Sequence, residues 1–359
     1  LARVLHDAER PMIYVGDGVN KSGGERQLAK IAEHFGANVA SMWGDLRGVS
    51  AAHPLHCGYF RQPVIDLDPD HIIAVGVRHG GSGKPTDFDV FKNAKKVVAV
   101  GPDVEIFENI PGLDLAVMAD EARTLERLAE LAESEYPSAK YDARRERAHD
   151  NARRLRDERR AALQPASEIP GYVRPLALLD AVDGGLEKLG GGLITTEQFA
   201  VPLDIVGGSD EAGNNVHIRP AGGSEGYGVG GAIGAKLAAP EKVCVNFMGD
   251  AAFGMVGLDF ETAVRSNIPI ITVVLNNSTM AVETRQMADS HGLYGTRDLG
   301  GNYADLGKAM GGYAERIEDP SQISAAFTRA RKVTEEEGKA VLLEFITSEE
   351  TELSHRRAF

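Results

Sequence analysis

The sequence predicts an α/β fold with parallel sheets in two domains. The chain has 359 residues, which is enough for two domains of ordinary size, each with its own core. Short β-rich runs alternate with helical patterns in both halves of the chain, as they do in βαβ units. An arginine-rich stretch near the middle separates the two halves.

The first half contains three apolar runs that predict strands of one sheet. The run Pro11–Val15 predicts a strand that enters a tight turn at Gly16-Asp17-Gly18, and a helix is predicted over residues 24–35. Residues 66–75 end in an apolar run that leads into Gly76-Val77-Arg78, and residues 96–100 are the third run. Because a helical pattern follows the first strand, we expect parallel pairing.

The arginine-rich stretch predicts a solvated linker helix. Residues 144–160 contain eight arginines, interspersed at helical spacing with Glu146, Asp150, Asp157 and Glu158. Opposite charges at i,i+4 spacing stabilise an exposed helix, which favours this interpretation over a binding patch. The predicted boundaries are a first domain over residues 1–138, a linker helix over 139–166 and a second domain over 167–359.

The second half contains the most informative unit of the chain. Residues 243–248 form a β-rich run that ends at Gly249-Asp250, and a helical pattern closed by Pro269 follows it. Residues 270–275 then predict a strand that ends at Asn276-Asn277. Three further elements are predicted: a strand over Leu193–Thr196, a helix over residues 302–310 and a last strand over Val341–Ile346.

The two polar clusters, Gly249-Asp250 and Asn276-Asn277, follow adjacent predicted strands. Open α/β sheets bind ligands at the carboxyl ends of parallel strands, so we expect Asp250 and Asn277 to converge there. Carboxylate and amide oxygens suit Mg²⁺ held jointly with phosphate oxygens. Without this pairing, an ordinary βαβ unit with a polar loop is the simpler interpretation.

The spacing of these clusters resembles a family signature. Gly249-Asp250 followed by Asn277, 27 positions after Asp250, is similar to the Gly-Asp-Gly…Asn-Asn motif of thiamine diphosphate (ThDP) enzymes. The resemblance implies Mg²⁺ ligation by Asp250, Asn277 and the main-chain carbonyl of Thr279. The motif has Ala251 in place of its second glycine. Residues 249–254 look closest to oxalyl-CoA decarboxylases and 2-hydroxyacyl-CoA lyases.

The same resemblance implies two doubly wound parallel-sheet domains, a Rossmann-like central domain and a diphosphate-binding domain. Loop N–H groups and the helix start near Ala252 would meet the diphosphate. The glycine-rich stretches 222–228 and 230–235 are similar to the turn and helix that approach the cofactor in this family. The implied cofactor-binding residues are Gln198, Ser224, Glu225, Gly226, Tyr227, Gly249, Asp250, Ala251, Ala252, Asn277, Thr279 and Met280.

Two positions depart from the family pattern. The family carries a bulky apolar residue at position 225, which bends the cofactor; the methylenes of Glu225 can take this role, or its carboxylate faces a substrate, or the chain is catalytically altered. Acetolactate synthases carry Gln and His after the strand Leu193–Thr196, where this chain has Glu197-Gln198-Phe199-Ala200. Only Gln198 is a substitute there, which weakens assignment as a true acetolactate synthase.

The resemblance extends to the first domain less specifically. The central domain of the family holds FAD, ADP or nothing, and Arg78 matches an arginine that contacts a nucleotide phosphate in some members, so FAD, ADP or CoA are candidate ligands. A solvated loop arginine is an equal alternative. The full dinucleotide fingerprint is absent, which argues against an NAD-dependent dehydrogenase.

Two other motifs carry no function. Gly81-Ser82-Gly83-Lys84 is followed by Pro85 where a phosphate loop needs Ser or Thr, which excludes that motif. Residues 53–57 include two histidines and a cysteine, but Pro54 prevents a helix that would align them and no second cluster completes a zinc site. We interpret this loop as structural.

The composition of the chain limits the kinds of partner that it is expected to bind. A formal net charge of −14 argues against nucleic acid and anionic membranes, and no apolar stretch approaches eighteen residues. The two cysteines, Cys57 and Cys244, fall in different predicted domains, which favours reduced thiols and a cytoplasmic location.

The resemblance covers this chain but not a complete enzyme. The chain begins with Leu1, and its first strand already matches the central domain. The resemblance therefore implies that a pyrimidine-binding domain, which carries the activating glutamate, is cleaved off or supplied by another subunit. It also implies a dimer or tetramer. The sequence of this chain indicates no catalytic residue of its own.

The leading hypothesis is a ThDP- and Mg²⁺-dependent, acetolactate synthase-like decarboxylase or carboligase that acts on a 2-oxo acid. A 2-hydroxyacyl-CoA lyase or oxalyl-CoA decarboxylase acting on an acyl-CoA is the alternative within the family. A non-catalytic cofactor-binding subunit is the alternative from another class. Met280, Val282 and Glu283 are candidates for substrate contact by analogy, although helix packing is the better explanation for Val282.

Overall fold

The chain folds into two α/β units, Leu1–Ala162 and Leu163–Arg357. The computed structural model describes residues 1–42, 49, 53–59, 62–77, 90–108, 110–163, 171–197, 215–218, 225–280 and 288–349. Each unit contains one six-stranded sheet whose assigned strand pairs are all parallel. The predicted fold class, two doubly wound parallel-sheet domains, is confirmed.

The sheet of the first unit has the strand order β3-β2-β1-β4-β5-β6. The order reverses between β1 and β4, which is the switch point of a doubly wound sheet. Buried apolar residues fill β1, β4 and β5, because both faces of a parallel sheet are covered. The strands are β1 Pro11–Val15, β2 Asn38–Ser41, β3 His56–Tyr59, β4 His71–Val75, β5 Lys96–Gly101 and β6 Leu115–Met118.

Of the seven helices in the described part of the first unit, the sequence predicted two, one over residues 24–35 and one in the arginine-rich stretch. The predicted helix over residues 24–35 is α3, and a short helix, α2, begins directly after Gly16. A Cβ atom on Gly16 would lie 2.1 Å from the carbonyl oxygen of Gly76, so only glycine permits this close approach of two loops. The helices are α1 Ala2–Asp7, α2 Asp17–Ser22, α3 Glu25–Phe35, α4 Gln62–Leu67, α5 Glu105–Glu108, α6 Glu121–Glu135 and α7 Asp142–Leu163.

The arginine-rich helix α7 is packed on one side, so the prediction of a solvated helix was wrong for that side. Arg144 is buried, and its guanidinium donates hydrogen bonds to the carbonyl oxygens of Phe35 and Ala8. Ala148, Ala152 and Leu155 are also buried and form an apolar stripe beneath the charged residues. The predicted i,i+4 pairing is present on the exposed side, between Arg154 and Glu158.

The sheet of the second unit has the strand order β11-β12-β10-β9-β7-β8. The predicted strands over Leu193–Thr196 and Val341–Ile346 have the predicted bounds. The central strands β9, β10 and β12 are almost entirely buried. The strands are β7 Leu193–Thr196, β8 Val216–Ile218, β9 Cys244–Gly249, β10 Ile271–Asn276, β11 Tyr313–Ile317 and β12 Val341–Ile346.

The segment between β9 and β10 contains two short helices instead of the single predicted helix. The first helix ends at Val256 because a turn at Gly257-Leu258 interrupts the pattern. The second helix ends at Arg265, ahead of Pro269. The predicted helix over residues 302–310 is present as α13 and is capped by Asn302. The helices are α8 Pro175–Glu187, α9 Gly228–Ala238, α10 Asp250–Val256, α11 Asp259–Arg265, α12 Ala288–Tyr294, α13 Tyr303–Ala309 and α14 Ile323–Glu336.

Two further features concern the whole described chain. Cys57 and Cys244 are both free and buried. Among the described residues, every helix is too short or too polar to cross a lipid bilayer.

Candidate functional site

Two adjacent strands of the second unit bring the polar clusters to one edge of the sheet. Strands β9 and β10 pair in parallel, with Leu275 opposite Gly249. Asp250 follows the last residue of β9, and Asn277 follows the last residue of β10. The carboxyl ends of both strands therefore present these side chains to the same loop region, where open α/β sheets bind ligands.

The carboxylate of Asp250 joins the two clusters directly. Its Oδ2 accepts a hydrogen bond of 2.7 Å from the main-chain N–H of Ser278, the residue after Asn277. Its Oδ1 accepts a hydrogen bond of 3.0 Å from the N–H of Ala251. Asp250 is only 2% exposed, and within the described part of the chain it forms no ion pair. The site thus holds a buried negative charge without a cationic partner among those residues.

Burial raises the pKa of Asp250 to about 6, because an ionised carboxylate loses its hydration inside the protein. Hydrogen bonds from the main-chain N–H groups of Ala251 and Ser278 oppose this shift. The carboxylate is therefore ionised at neutral pH at a cost in free energy. A bound cation would offset that cost, and a divalent ion would do so most strongly.

The loop after β10 offers further oxygen atoms. The Asn277 Oδ1 accepts a hydrogen bond of 3.0 Å from the N–H of Thr279, and an amide oxygen retains a second lone pair. Ser278 adopts a left-handed conformation, with φ of +57°. Within the described residues the carbonyl of Thr279 accepts no hydrogen bond, and its buried Oγ1 has no partner. The oxygens of Asp250, Asn277 and Thr279 thus fit a hard divalent cation.

No group of three His, Cys, Asp or Glu residues that could hold a metal ion is found in the described part of the chain. The predicted Mg²⁺ site contains one carboxylate, one amide and one main-chain carbonyl, so such a group is not expected there. Mg²⁺ typically takes one or two carboxylates and completes its coordination with phosphate oxygens and water. The ligand set of Asp250, Asn277 and Thr279 stays a prediction.

Replacing Asn277 by alanine should weaken Mg²⁺ binding in the presence of inorganic pyrophosphate by about tenfold or more, because one oxygen ligand is lost. Isothermal titration calorimetry with both components measures the change. Asn277→Asp keeps an oxygen at this position and should retain metal binding. Equal binding by the wild-type chain and the alanine variant would exclude Asn277 as a ligand.

The glycine-rich turn packs against the helix that carries Asp250. Gly226 has φ of +95°, and a Cβ atom there would lie 2.7 Å from Cγ1 of Val256 at the end of α10. Tyr227 immediately precedes helix α9, and the N–H of Gly231 donates to its carbonyl. The structure therefore packs this turn against the end of α10.

Glu197 holds this turn and was missed by the sequence analysis, which considered only Gln198 in that stretch. The Glu197 side chain is 1% exposed and lies directly after β7. Its Oε2 accepts a hydrogen bond of 3.0 Å from the N–H of Gly226, and its Oε1 accepts one of 2.5 Å from the N–H of Gly228. The only signal in the sequence was an acidic residue at the end of a buried strand.

Two buried side chains form hydrogen bonds with the main chain of Gly228. Glu197 accepts from its N–H, and the hydroxyl of Thr195 donates to its carbonyl oxygen over 3.2 Å. Burial raises the pKa of Glu197; the N–H groups of residues 226–228 oppose the shift, and the charge of Glu225 adds to it. Glu225 itself is exposed, so its carboxylate lies near this turn without being enclosed by it.

The remaining predicted residues divide into two groups. Gly249 is the N-cap of α10, Ala252 is buried in its first turn, and the N–H of Met280 donates to the carbonyl of Arg297 over 2.9 Å. The first turn of any helix has N–H groups without helical partners, which suits an anion. The other candidates lie outside the described residues: Arg78, Gln198, Ser224, Val282 and Glu283.

Comparison with protein families gives two matches along the chain. Residues 1–128 match the central domain of thiamine pyrophosphate enzymes. Residues 210–345 match the C-terminal, thiamine pyrophosphate-binding domain of the same enzymes. The second match contains the described polar clusters and the glycine-rich turn.

Several curated proteins are similar to the chain along much of its length. Sulfoacetaldehyde acetyltransferase of Castellaniella defragrans is 25% identical over 97% of this chain and 62% of its own length. The acetolactate synthase large subunit of Corynebacterium glutamicum is 24% identical, over 98% of this chain and 56% of its own. The 2-hydroxyacyl-CoA lyase of Saccharomyces cerevisiae is 27% identical over 61% of this chain and 39% of its own. The chain thus spans 62% or less of the length of these relatives.

A solved structure shares the fold. The thiamine diphosphate-dependent 4-hydroxybenzoylformate decarboxylase of Rhodococcus jostii RHA1 superposes with a TM-score of 0.72 at 19% sequence identity. The similarity covers 98% of this chain and 63% of the decarboxylase chain. At this level of identity it supports the fold alone.

Proposed function

The chain belongs to the thiamine pyrophosphate (ThDP) enzyme family, and we propose that it supplies the Mg²⁺- and diphosphate-binding part of an acetolactate synthase-like active site. The proposed reaction is cleavage or formation of a carbon–carbon bond next to the carbonyl of a 2-oxo acid. The single observation that carries this proposal is the 2.7 Å hydrogen bond from Ser278 N–H to Asp250 Oδ2, which joins the two halves of the motif.

Each group at the site has a distinct proposed role. Asp250, Asn277 and the carbonyl of Thr279 would hold Mg²⁺, and the Asp250 carboxylate would neutralise part of its charge. The N–H groups of the first turn of α10 would meet the diphosphate. Glu197 keeps the glycine-rich turn in place for the rest of the cofactor. When bound, the cofactor would accept the electron pair of the carbon–carbon bond that breaks.

The substrate assignment has two candidates within the family. Acetolactate synthases among the relatives favour a 2-oxo acid. The residues Gly249-Asp250-Ala251-Ala252-Phe253-Gly254 and the similarity to a 2-hydroxyacyl-CoA lyase favour an acyl-CoA as the second candidate. Met280 and Glu283 are proposed for substrate contact, whereas helix packing is the better explanation for Val282. The side chain of Glu225 is the feature in which this site differs most from the family pattern.

The proposed active site also needs groups beyond this chain. We propose that a pyrimidine-binding domain or subunit supplies the activating glutamate and that the assembly is a dimer or tetramer. A nucleotide bound at the first unit stays a prediction of the sequence, since Arg78 lies outside the described residues. A cytoplasmic location also stays a prediction of the sequence. A non-catalytic cofactor-binding subunit remains the rival hypothesis, and Glu225 is the observation that favours it.

The proposal is tested by titrating the full chain with Mn²⁺ and inorganic pyrophosphate, with Mn²⁺ detected by electron paramagnetic resonance. Pyrophosphate lacks the pyrimidine ring, so its binding does not require the pyrimidine-binding domain. We expect each component to tighten the binding of the other, because both contact the same ion. Absence of this coupling in the folded chain would refute the Mg²⁺–diphosphate role.

A second assay separates catalysis from simple binding. The chain is mixed with a pyrimidine-binding domain, ThDP and Mg²⁺, and CO₂ release from pyruvate is followed. Turnover supports the 2-oxo acid assignment. Binding of ThDP without turnover of pyruvate or of a 2-hydroxyacyl-CoA supports the non-catalytic alternative.

A further inference from the structure

We propose that Glu344 is a positioning residue for the Mg²⁺ site, acting through the side chain of Asn276. This inference rests on the proposed function, because it assigns a role toward the same ion. Glu344 lies on β12, beside β10, and its side chain is fully buried. Neither Glu344 nor Asn276 belongs to the predicted ligand set.

The carboxylate of Glu344 has three hydrogen-bond donors around it. Its Oε1 accepts a hydrogen bond of 2.7 Å from Nδ2 of Asn276 and one of 3.1 Å from Nη1 of Arg316. Its Oε2 accepts one of 2.9 Å from the N–H of Ala304 in the first turn of α13. Arg316 is the positive partner, and it shares Oε1 with Asn276, whereas Oε2 is bonded to Ala304.

The contact with Glu344 determines which way the amide of Asn276 points. Because the carboxylate only accepts hydrogen bonds, it holds the NH₂ group of Asn276, and the Oδ1 atom faces the opposite side. There Oδ1 accepts hydrogen bonds from Ser278, of 3.0 Å from its N–H and 3.2 Å from its hydroxyl. A reversed amide would bring NH₂ donors against the N–H of Ser278.

Ser278 connects this chain of contacts to the predicted ligands. Its N–H is shared by Oδ1 of Asn276 and Oδ2 of Asp250. Its left-handed conformation is unfavourable for a residue with a side chain, so external contacts are needed to maintain it. The same turn carries Asn277 and the carbonyl of Thr279, so holding Ser278 fixes the positions of both.

The sequence of β12 supports a role beyond packing. The strand reads Val-Leu-Leu-Glu-Phe-Ile, so Glu344 interrupts an otherwise apolar buried run. Burying the carboxylate costs hydration, and its partner Arg316 is 37% exposed, so the ion pair recovers only part of that cost. Asn276, Arg316 and Ala304 together present donors to both oxygens of this side chain, and only a carboxylate meets them with two acceptor oxygens.

The first test measures the turn without any metal. Hydrogen exchange of the Ser278 amide is followed by NMR in the metal-free wild-type chain and in Glu344→Gln. In glutamine one carboxylate oxygen becomes an NH₂ group, which leaves a donor without an acceptor in this cluster. We expect exchange at Ser278 to become about tenfold faster or more in the variant, as local opening becomes easier. Unchanged exchange in a folded variant overturns the proposal, whatever the chain does with metal.

The second test measures Mn²⁺ affinity with saturating pyrophosphate. Glu344→Gln should weaken it by about 10- to 100-fold, the range typical of outer residues that orient metal ligands. The matched control is Glu315→Gln on the neighbouring strand β11, whose carboxylate pairs with Arg329 and should leave Mn²⁺ affinity unchanged. Equal affinity of wild type and Glu344→Gln overturns the positioning role, whereas no Mn²⁺ binding by the wild type refutes the proposed function instead.

A third variant distinguishes positioning from general support of the fold. Asn276→Ala removes the hydrogen bond between Asn276 and Glu344 but keeps the hydrogen bonds that Arg316 and Ala304 donate to Glu344. This variant therefore also tests the proposal if Glu344→Gln does not fold. We expect Asn276→Ala to accelerate exchange at Ser278, and we expect adding Glu344→Gln to it to weaken Mn²⁺ affinity no further. Independent effects that multiply in the double variant, or wild-type exchange at Ser278 in Asn276→Ala, would contradict the proposed connection.

Discussion

Replacing Asp250 by asparagine is expected to weaken Mg²⁺-dependent binding of pyrophosphate by at least about 100-fold, because the proposed site then loses its only charged protein ligand. Asp250 is only 2% exposed, and its carboxylate accepts a hydrogen bond from the N–H of Ser278 in the loop that carries Asn277. A carboxylate on the solvated surface therefore cannot take its place beside the ion. Asparagine has nearly the same shape and keeps one oxygen. The expected loss therefore reflects charge more than geometry.

Calorimetric titration of the full chain with Mg²⁺ and pyrophosphate measures this loss. Asp259→Asn is the matched control: Asp259 is exposed and lies in the first turn of the next helix, α11, so the same charge is removed nearby. The control should bind like the wild type. Binding by Asp250→Asn at wild-type strength would mean that the carboxylate does not face the ion.

The stability of the metal-free chain should depend on pH through the same carboxylate. The pKa of Asp250 is raised from 3.8 to about 6, so the folded state binds a proton more tightly than the unfolded state. Stability then rises as pH falls through 6 and the gain is complete below 3.8. From these two values the wild type should gain about 2 kcal/mol between pH 7 and pH 4.5, relative to a variant without this group.

Urea unfolding of the wild type and Asp250→Asn at both pH values isolates this effect, because the other titrating groups cancel in the difference. Saturating Mg²⁺ and pyrophosphate should remove the pH dependence, since the ion then stabilises the ionised form. A difference in unfolding free energy that stays constant with pH would show that burial does not perturb this carboxylate.

The elements around the site follow from the sequence with little ambiguity. Strands β7 and β12 have their predicted bounds because each is a short apolar run next to clear turn residues. The meeting of Asp250 with the loop of Asn277 is also predictable, because adjacent parallel strands end at the same edge of a sheet. Local pattern and one rule of topology are sufficient for these features.

Other features depend on contacts that a sequence pattern does not encode. Glu197 accepts from Gly226, 29 residues away, and Glu344 accepts from Asn276, 68 residues away, so their roles appear only once the strands are ordered. Arg144 looks like a solvated residue in a charged helix, but its guanidinium is buried against two main-chain carbonyls. The helical pattern also did not predict the interruption at Gly257, because the apolar spacing continues across it.

The most direct test is a crystal structure of the full chain with Mn²⁺ and pyrophosphate, in which anomalous scattering locates the metal. We expect one ion at about 2.1 Å from an Asp250 carboxylate oxygen, the Asn277 Oδ1 and the Thr279 carbonyl, with pyrophosphate completing its coordination. An ion bound elsewhere on the second unit, with Asp250 and Asn277 free of metal, would contradict the account.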